Sequence, residues 1–496
     1  MKNRLLGIVA LGFLLIAFVL ALAPVVRAGG VDDKIQTLEN ELSRLKSEQM
    51  ELKKEAVAAA AALPDFSYRP GAGLTITAAD QSWAIKFGYE YEHHMLFLAG
   101  NDARREGDFQ LFGRRNRPAV YYYWDKGFYE FKSELDMDGD ETGGKDTLNQ
   151  RSAMLIHFEQ MNPLFPTLSF GMDESGAGSK YRSSDLTLEL PTLDRNNGFN
   201  TGSHTGLGFL WEDLPTPGLP GNQQFHYYWV IHGMGRSDGR ADQSNKMDHV
   251  VYYNINPFAQ AKNKWIDGIG FSMLGWFGNI DDRNSTNSTS SIGLRSQEGP
   301  TRVVLWTSPT RGAGLHTYLS PSLQYKVGPY QLRFAAGFDR YNTCSTSAVT
   351  GCGGTTAGAA ATTRGRVSAN YWKFMNDIMV WSPKGFLTGS ATTPNTLGMG
   401  VSFERTDAKC GFTGATSNCD QATGNTDHRI AIHVMEVDLR YWIRPALFVG
   451  WVWKEYDVSN TPTAGQVATG CKKNSNTVAN KQCSWDDFVL RFGWNF

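Results

Sequence analysis

The sequence predicts an all-β fold. The expected architecture is a transmembrane antiparallel β-barrel of about 16 (16 to 18) strands, preceded by a short N-terminal α-helical coiled coil. Three observations predict it. The chain closes on "SWDDFVLRFGWNF", where Phe488, Leu490, Phe492, Trp494 and Phe496 alternate with Asp487, Val489, Arg491, Gly493 and Asn495. Successive side chains of a strand point to opposite faces, so such a segment has one greasy face and one mostly polar face. Beyond the first residues no stretch approaches the roughly 18 continuous apolar residues of a spanning helix. A membrane-spanning reading therefore requires a barrel. The third observation is the inequality of the connections, which alternate between tight turns and long polar segments.

Composition agrees. The chain has 496 residues, 41% hydrophobic and 12% aromatic, with 14 Trp, 19 Tyr, 28 Phe and 52 Gly. It is aromatic-rich without being oily, as expected when only alternate residues meet lipid and Trp and Tyr gather at the interfaces. The formal net charge is −1 and becomes more acidic once Lys2, Arg4 and Arg27 are removed. That balance gives no support to nucleic-acid binding.

Taken in order, residues 1–28 read as a secretion signal. Lys2 and Arg4 precede a nearly unbroken apolar run from Leu5 to Val26, and Val26-Arg27-Ala28 offers a cleavage site. An uncleaved anchor is the rival reading. Residues 29–63 are expected to form a periplasmic helix. Ile35, Leu42 and Gln49 fall at a and Val31, Leu38, Leu45 and Leu52 at d of a heptad seam. A lone amphipathic helix lying on another surface is the alternative. Residues 64–73 read as a linker and 74–496 as an outer-membrane barrel.

Strand signals follow throughout. In "SWAIKFGYEYE", Trp83, Ile85, Phe87, Tyr89 and Tyr91 oppose Lys86, Gly88 and Glu90; in "IHVMEVDLRYWI", Val437, Leu439 and Tyr441 oppose Glu436, Asp438 and Arg440. Charges facing a dry core are costly, whereas on a water-filled lumen they cost little. Short connections are read at "WDKG" (124–127) and "RPA" (444–446), and long ones at about 282–299, 341–366, 405–427 and 458–484. Six cysteines, Cys344/Cys352, Cys410/Cys419 and Cys471/Cys483, fall in the long segments. Local disulfides are the simplest pairing in an exported chain. No C-x-x-C or C-x-x-C-H occurs, so neither metal nor another cofactor is expected.

The stretches "GLTITAADQSWAIKFG", "LFGRRNRPAVYYYWDKGFYEFKSELDMD", "FEQMNPLFPTLSFGMDE" and "LPTLDRNNGFN" resemble segments of the phosphate-selective porin O/P family, over about 74–210. Gly113 interrupts the family's Phe-Arg-Arg run. The resemblance implies a 16-stranded trimer. It also implies lumen-facing arginines at Arg114 and Arg115, an arginine after a constriction loop at Arg195, and that loop at about 172–186, carrying Lys180 and Arg182. A solvated wall arginine balancing a carboxylate is the rival role for each. A terminal aromatic such as Phe496 is similar to the assembly signature of Gram-negative barrels.

The expected function is an outer-membrane porin, a water-filled channel for passive diffusion of small hydrophilic solutes, with the resemblance pointing to anions among them. The alternative is a barrel that sheathes a partner such as a multihaem cytochrome conduit. No nucleophile constellation points to an enzyme. Expected partners are further copies of the chain, outer-membrane lipid and small solutes. Oligomerisation is assigned to Ile35, Leu38, Leu42, Leu45 and Leu52.

Overall fold

The computed structural model describes residues 31–61, 63–99, 109–137, 149–173, 204–231, 247–280, 293–295, 304–307, 311–344, 364–390, 392–412, 428–461 and 481–495. The reading of 1–28 as a signal and the terminal Phe496 lie outside them. The chain divides into two units, Met1–Pro64 and Asp65–Phe496. In the first, helix α1 (Val31–Ala61) stops three residues short of Pro64, whose ring disfavours a helical residue before it. Its heptad positions are bare: Ile35 is 48% and Leu52 65% exposed.

Among the described residues of the second unit, the regular structure is strand apart from one 3-10 turn at Phe158–Gln160. It contains β1 (Asp65–Arg69), β2 (Gly73–Thr77), β3 (Trp83–Ala99), β4 (Phe109–Trp124), β5 (Tyr129–Asp136), β6 (Asn149–His157) and β7 (Thr167–Asp173). Then follow β8 (His204–Pro215), β9 (Asn222–Ile231), β10 (Met247–Asn256), β11 (Ile269–Ile280), β12 (Gly293–Arg295), β13 (Val304–Thr307) and β14 (Arg311–Val327). The last are β15 (Tyr330–Cys344), β16 (Arg364–Ser382), β17 (Gly385–Phe386), β18 (Thr396–Phe412), β19 (His428–Arg444), β20 (Leu447–Thr461) and β21 (Lys481–Asn495).

Sixteen of these close the antiparallel barrel: β3 to β11, β14 to β16 and β18 to β21. Closure is made by β21 against β3, with Arg491 opposite His94 and Trp494 opposite Tyr91. The pair β12–β13 forms a separate two-stranded ribbon inside one connection.

β21 covers β3 only from Glu90 to Ala99. The remaining edge of β3 is taken by β2, which pairs Leu74 with Phe87 and Thr77 with Ala84, and β2 in turn pairs with β1. The stretch read as a linker therefore includes a strand. A bare strand edge presents unpaired N–H and C=O groups, and this hairpin removes them. Gly73 makes the approach possible: its φ is +87° and an added Cβ would lie 1.9 Å from the Phe87 carbonyl oxygen. Gly73→Ala is expected to cost about 1–3 kcal/mol, read as a lower urea midpoint for the folded, fast-migrating gel band. In the turn that follows, Ser82 donates to Asp80 from Oγ (2.7 Å) and N–H (3.0 Å). These two bonds hold the Asp80 carboxyl below the usual carboxylate range.

Connections alternate in length around the barrel. One end carries 125–128, 158–166, 216–221, 257–268, 328–329, 383–395 and 445–446. The other carries 100–108, 137–148, 174–203, 232–246, 281–310, 345–363, 413–427 and 462–480. Both tight turns expected from sequence are present. Asp125 and Lys126 have φ of 51° and 56°, the two positive central angles of a type I′ hairpin turn.

Strands reach further than their sequence suggested. Residues 405–412, expected in a loop, belong to β18, and β20 runs on to Thr461. One cysteine of each expected pair stands on a strand: Cys344 on β15, Cys410 on β18 and Cys483 on β21. This corrects their placement in loops. Cys352, Cys419 and Cys471 lie outside the described residues.

Candidate functional site: the lumen face of the barrel

The two-residue period sorts side chains onto two faces. On β21, Leu490, Phe492 and Trp494 are 46%, 43% and 39% exposed on the outside, while Asp487, Val489 and Arg491 are buried within. The same split runs around the barrel, with Phe334, Trp372, Phe403 and Trp451 outside and Arg333, Lys373, Glu404 and Lys454 inside. These strands pack one side chain against the next across each register row, so the lumen face is built in rows.

Over the middle of β16, β18, β19, β20 and β21, and from Glu92 onward on β3, the inward charges are out of contact with water. Glu92, His94, Asp438, Arg440, Lys454 and Arg491 are all fully buried. The expectation that lumen charges sit cheaply in water fails on this wall, because each must recover its lost hydration from a partner. Arg491 does so across the closing seam. Its Nη2 and Nε donate to Glu92 Oε1 at 2.7 and 3.0 Å, and its Nη1 to Asp438 Oδ2 at 3.4 Å. Asp438 also lies 3.6 Å from Arg440, and His94 Nε2 lies 2.7 Å from Glu92.

The Phe448 ring supports both guanidinium groups, at 4.4 Å from Arg440 and 5.4 Å from Arg491. Nearer the long connections, Lys454 faces Glu436 at 3.6 Å and Lys373 faces Glu404 at 3.8 Å. Above these rows lies an apolar inward belt that includes Tyr252, Trp276, Tyr371, Ile432, Tyr456 and Trp485, each 5% exposed or less. Tyr456 and Trp485 stack in it at 4.9 Å.

The opposite wall, from β4 to β14 at the end with the short connections, is different. Its inward groups are hydrogen-bonded, and some of them stay partly open: Glu212 keeps 48% of its side chain exposed and Glu159 35%, while Thr167, His226 and Asn254 are buried. His157 Nδ1 lies 2.6 Å from Glu159 Oε1 and its Nε2 3.3 Å from Glu130 Oε2. Thr167 donates to the other oxygen of Glu159 (2.7 Å). On the next strands Glu212 lies 2.8 Å from His226 Nε2 and accepts from Gln224 (2.8 Å). Gln224 accepts from Asn254 (3.2 Å), and Asn256 accepts from Gln324 (3.2 Å).

The residues expected from sequence fall as follows. Arg114 and Arg115 are on β4, with Arg115 opposite Glu92 in the register. The register slips between Glu92 and His93, so Arg114 is the extra residue of a bulge. Lys180, Arg182 and Arg195, with the expected constriction loop beyond Asp173, lie outside the described residues. Further along β3, His94 is buried inward, and the His93 ring lies 5.0 Å from that of Tyr91. Sequence reading put Asp438, Arg440 and Arg491 on a polar face but did not connect them. They sit on different strands, and only the register brings them together.

No family model matches the chain, and no curated protein does. Among solved structures, a loop-deletion mutant of OmpT, an outer membrane protein of Vibrio cholerae, is similar at 8% identity and a TM-score of 0.48, covering 84% of this chain and 100% of that one. An anion-selective porin from Comamonas acidovorans matches at 10% identity and 0.44, over 84% and 100%. The outer membrane channel DcaP of Acinetobacter baumannii matches at 9% and 0.44, over 83% and 98%. Likeness at these identities and scores decides nothing about activity. The class rests on the chain's own geometry: a closed 16-strand antiparallel barrel with an apolar outer face and a polar, charged inner face.

Proposed function

We propose that the chain is an outer-membrane porin, a non-enzymatic channel for passive diffusion of small hydrophilic solutes. The observation that carries this is the facing of the 16 strands: large apolar side chains exposed outside, charged and amide groups inside. Lipid accepts the first, and the second are met by water where they stay open and by one another on the β16–β3 wall. Strands such as β16 (19 residues) and β18 (17 residues) exceed the roughly 9–11 needed to cross a bilayer. A barrel of about 16 strands is also wide enough for an aqueous passage.

On this reading residues 1–28 are a signal, 29–63 a periplasmic helix and 74–496 the spanning barrel. The long connections face outward from the cell. The bare seam of α1, Ile35, Leu38, Leu42, Leu45 and Leu52, is buried by two further copies in a trimer. Cys344/Cys352, Cys410/Cys419 and Cys471/Cys483 close outer segments as disulfides. The resemblance to phosphate-selective porins supplies an anion-binding role for Arg114, Arg115, Lys180, Arg182 and Arg195, because guanidinium stays charged and offers several donors to an oxyanion.

Purified full-length protein in a planar bilayer tests this. Conductance steps in threes, reduced to single steps in Leu42→Glu, are the expected result. No conductance from a folded, heat-modifiable barrel would overturn the channel.

A further inference from the structure

We infer that the β1–β2 hairpin is a lipid-binding element. Its outward face lies among the phospholipid headgroups at the short-connection end and extends the surface that the barrel offers to the membrane. This rests on the outer-membrane reading but not on conduction.

The hairpin sorts its side chains by face. Directly opposed residues of an antiparallel pair share a face, and the register sets Phe66 against Ile76 and Tyr68 against Leu74. Between them stand Asp65, Ser67 and Arg69 on β1, opposite Thr77, Thr75 and Gly73. One face is therefore apolar and aromatic, and the other is polar.

The apolar face is continuous with the outside of the barrel. Ile76 pairs with Ile85, Ile85 with Tyr122 and Tyr122 with Phe131. The neighbouring row runs from Tyr68 through Leu74 and Phe87 to Val120. None of these residues is charged. Phe66 is 66% and Tyr68 50% exposed, more than any of Phe87, Val120, Tyr122 and Phe131. A contiguous open apolar surface marks a place of contact, and covering it recovers hydrophobic free energy. Lipid is the occupant because the same rows, followed onto β3, β4 and β5, are the barrel's own lipid-facing wall.

Two features set the hairpin at the headgroups and not in hydrocarbon. β1 pairs with β2 and with no other described strand, and an open strand edge is not tolerated in the hydrocarbon core. Beside the same rows Tyr122 stacks on Trp124 at 5.4 Å, and Trp124 on Tyr129 at 5.2 Å. Trp and Tyr gather at the membrane–water interface. A tyrosine such as Tyr68 suits that layer, with an apolar ring and a polar tip.

The hairpin is held there from two sides. β2 is bonded to β3, and the hairpin turn is pressed against the tight turn between β19 and β20. A Cβ added at Gly71 would lie 2.9 Å from that of Ala446.

The test places the photoreactive residue p-benzoylphenylalanine in turn at Phe66, Ser67 and Leu490 of the full-length protein. Each protein is folded into vesicles of phosphatidylethanolamine and phosphatidylglycerol, checked by heat-modifiable gel mobility, illuminated and weighed by mass spectrometry. Tyr68, on the same face, serves if the change at Phe66 prevents folding. Lipid adducts are expected at Phe66 and Leu490. The yield at Phe66 should exceed that at Ser67 about fivefold or more, because neighbouring residues of a strand face opposite ways.

Three results would overturn the inference and leave the membrane reading intact: a lipid adduct at Leu490 with none at Phe66, equal yields at Phe66 and Ser67, or an adduct at Phe66 to a second copy of the chain in place of lipid. No lipid adduct at Leu490 would overturn the membrane reading, and the inference with it.

Discussion

Arg491→Met is expected to be the most damaging single change in the barrel. It leaves the carboxylates of Glu92 and Asp438 fully buried without the guanidinium that bonds both of them. Removing one partner from a buried ionic network costs about 3–5 kcal/mol, because the remaining charge stays desolvated. The loss also falls at the seam, since Arg491 is on the last strand and Glu92 on the first barrel strand. Urea unfolding of the lipid-folded protein, followed by tryptophan fluorescence and gel mobility, reads the effect. The triple variant Arg491→Met/Glu92→Gln/Asp438→Asn removes the charges together and should recover most of the loss. A single variant within about 1 kcal/mol of the parent would mean that the wall is wet and the network screened.

Its neighbour gives the second large effect for the opposite reason. Leu490 is 46% exposed on the outer face. In a water-soluble barrel, Leu490→Arg at so open a position would change stability by about 0.5 kcal/mol or less. In a bilayer the same arginine faces hydrocarbon and costs about 2–4 kcal/mol near the midplane. The comparison is made by urea unfolding in lipid vesicles. A cost near zero would remove the membrane from the account of this protein. Two adjacent residues of one strand, changed in turn, thus report on the two environments that the barrel separates.

Much of this arrangement is legible in the chain itself. The alternation of β21 can be read directly, because a strand has a period of two and each face meets one solvent. The tight turns at 125–128 and 445–446 are legible from their flanking strand patterns. The expectation of about 16 strands matches the closed barrel because strand and connection lengths are narrowly bounded in this architecture.

Other features are not visible locally. Residues 405–412 read as a loop because the outer face of β18 becomes charged there, with Arg405 pairing with Asp407 (2.9 Å), while the inner face holds the small Thr406 and Ala408. Where neither face carries a row of large apolar residues, period two leaves little trace. β1 was hidden by its length, since in five residues only Phe66 and Tyr68 mark an apolar face.

The candidate site divides in the same way. Sequence alone determines which residues share a face, so the inward placement of Asp438, Arg440 and Arg491 follows from spacing. Only the tertiary structure decides which of those charges are paired and dry and which remain open. The contact of Arg491 with Glu92 joins residues 399 positions apart, and such a meeting is set by the stagger of strands around a closed sheet. The burial of one wall and the openness of the other is likewise a property of the whole cross-section. Strand identity is a local property, carried by each segment's own alternation. The electrostatics of the lumen is not, because a charge acts through its distance to every neighbour, and those distances exist only once β21 has closed on β3.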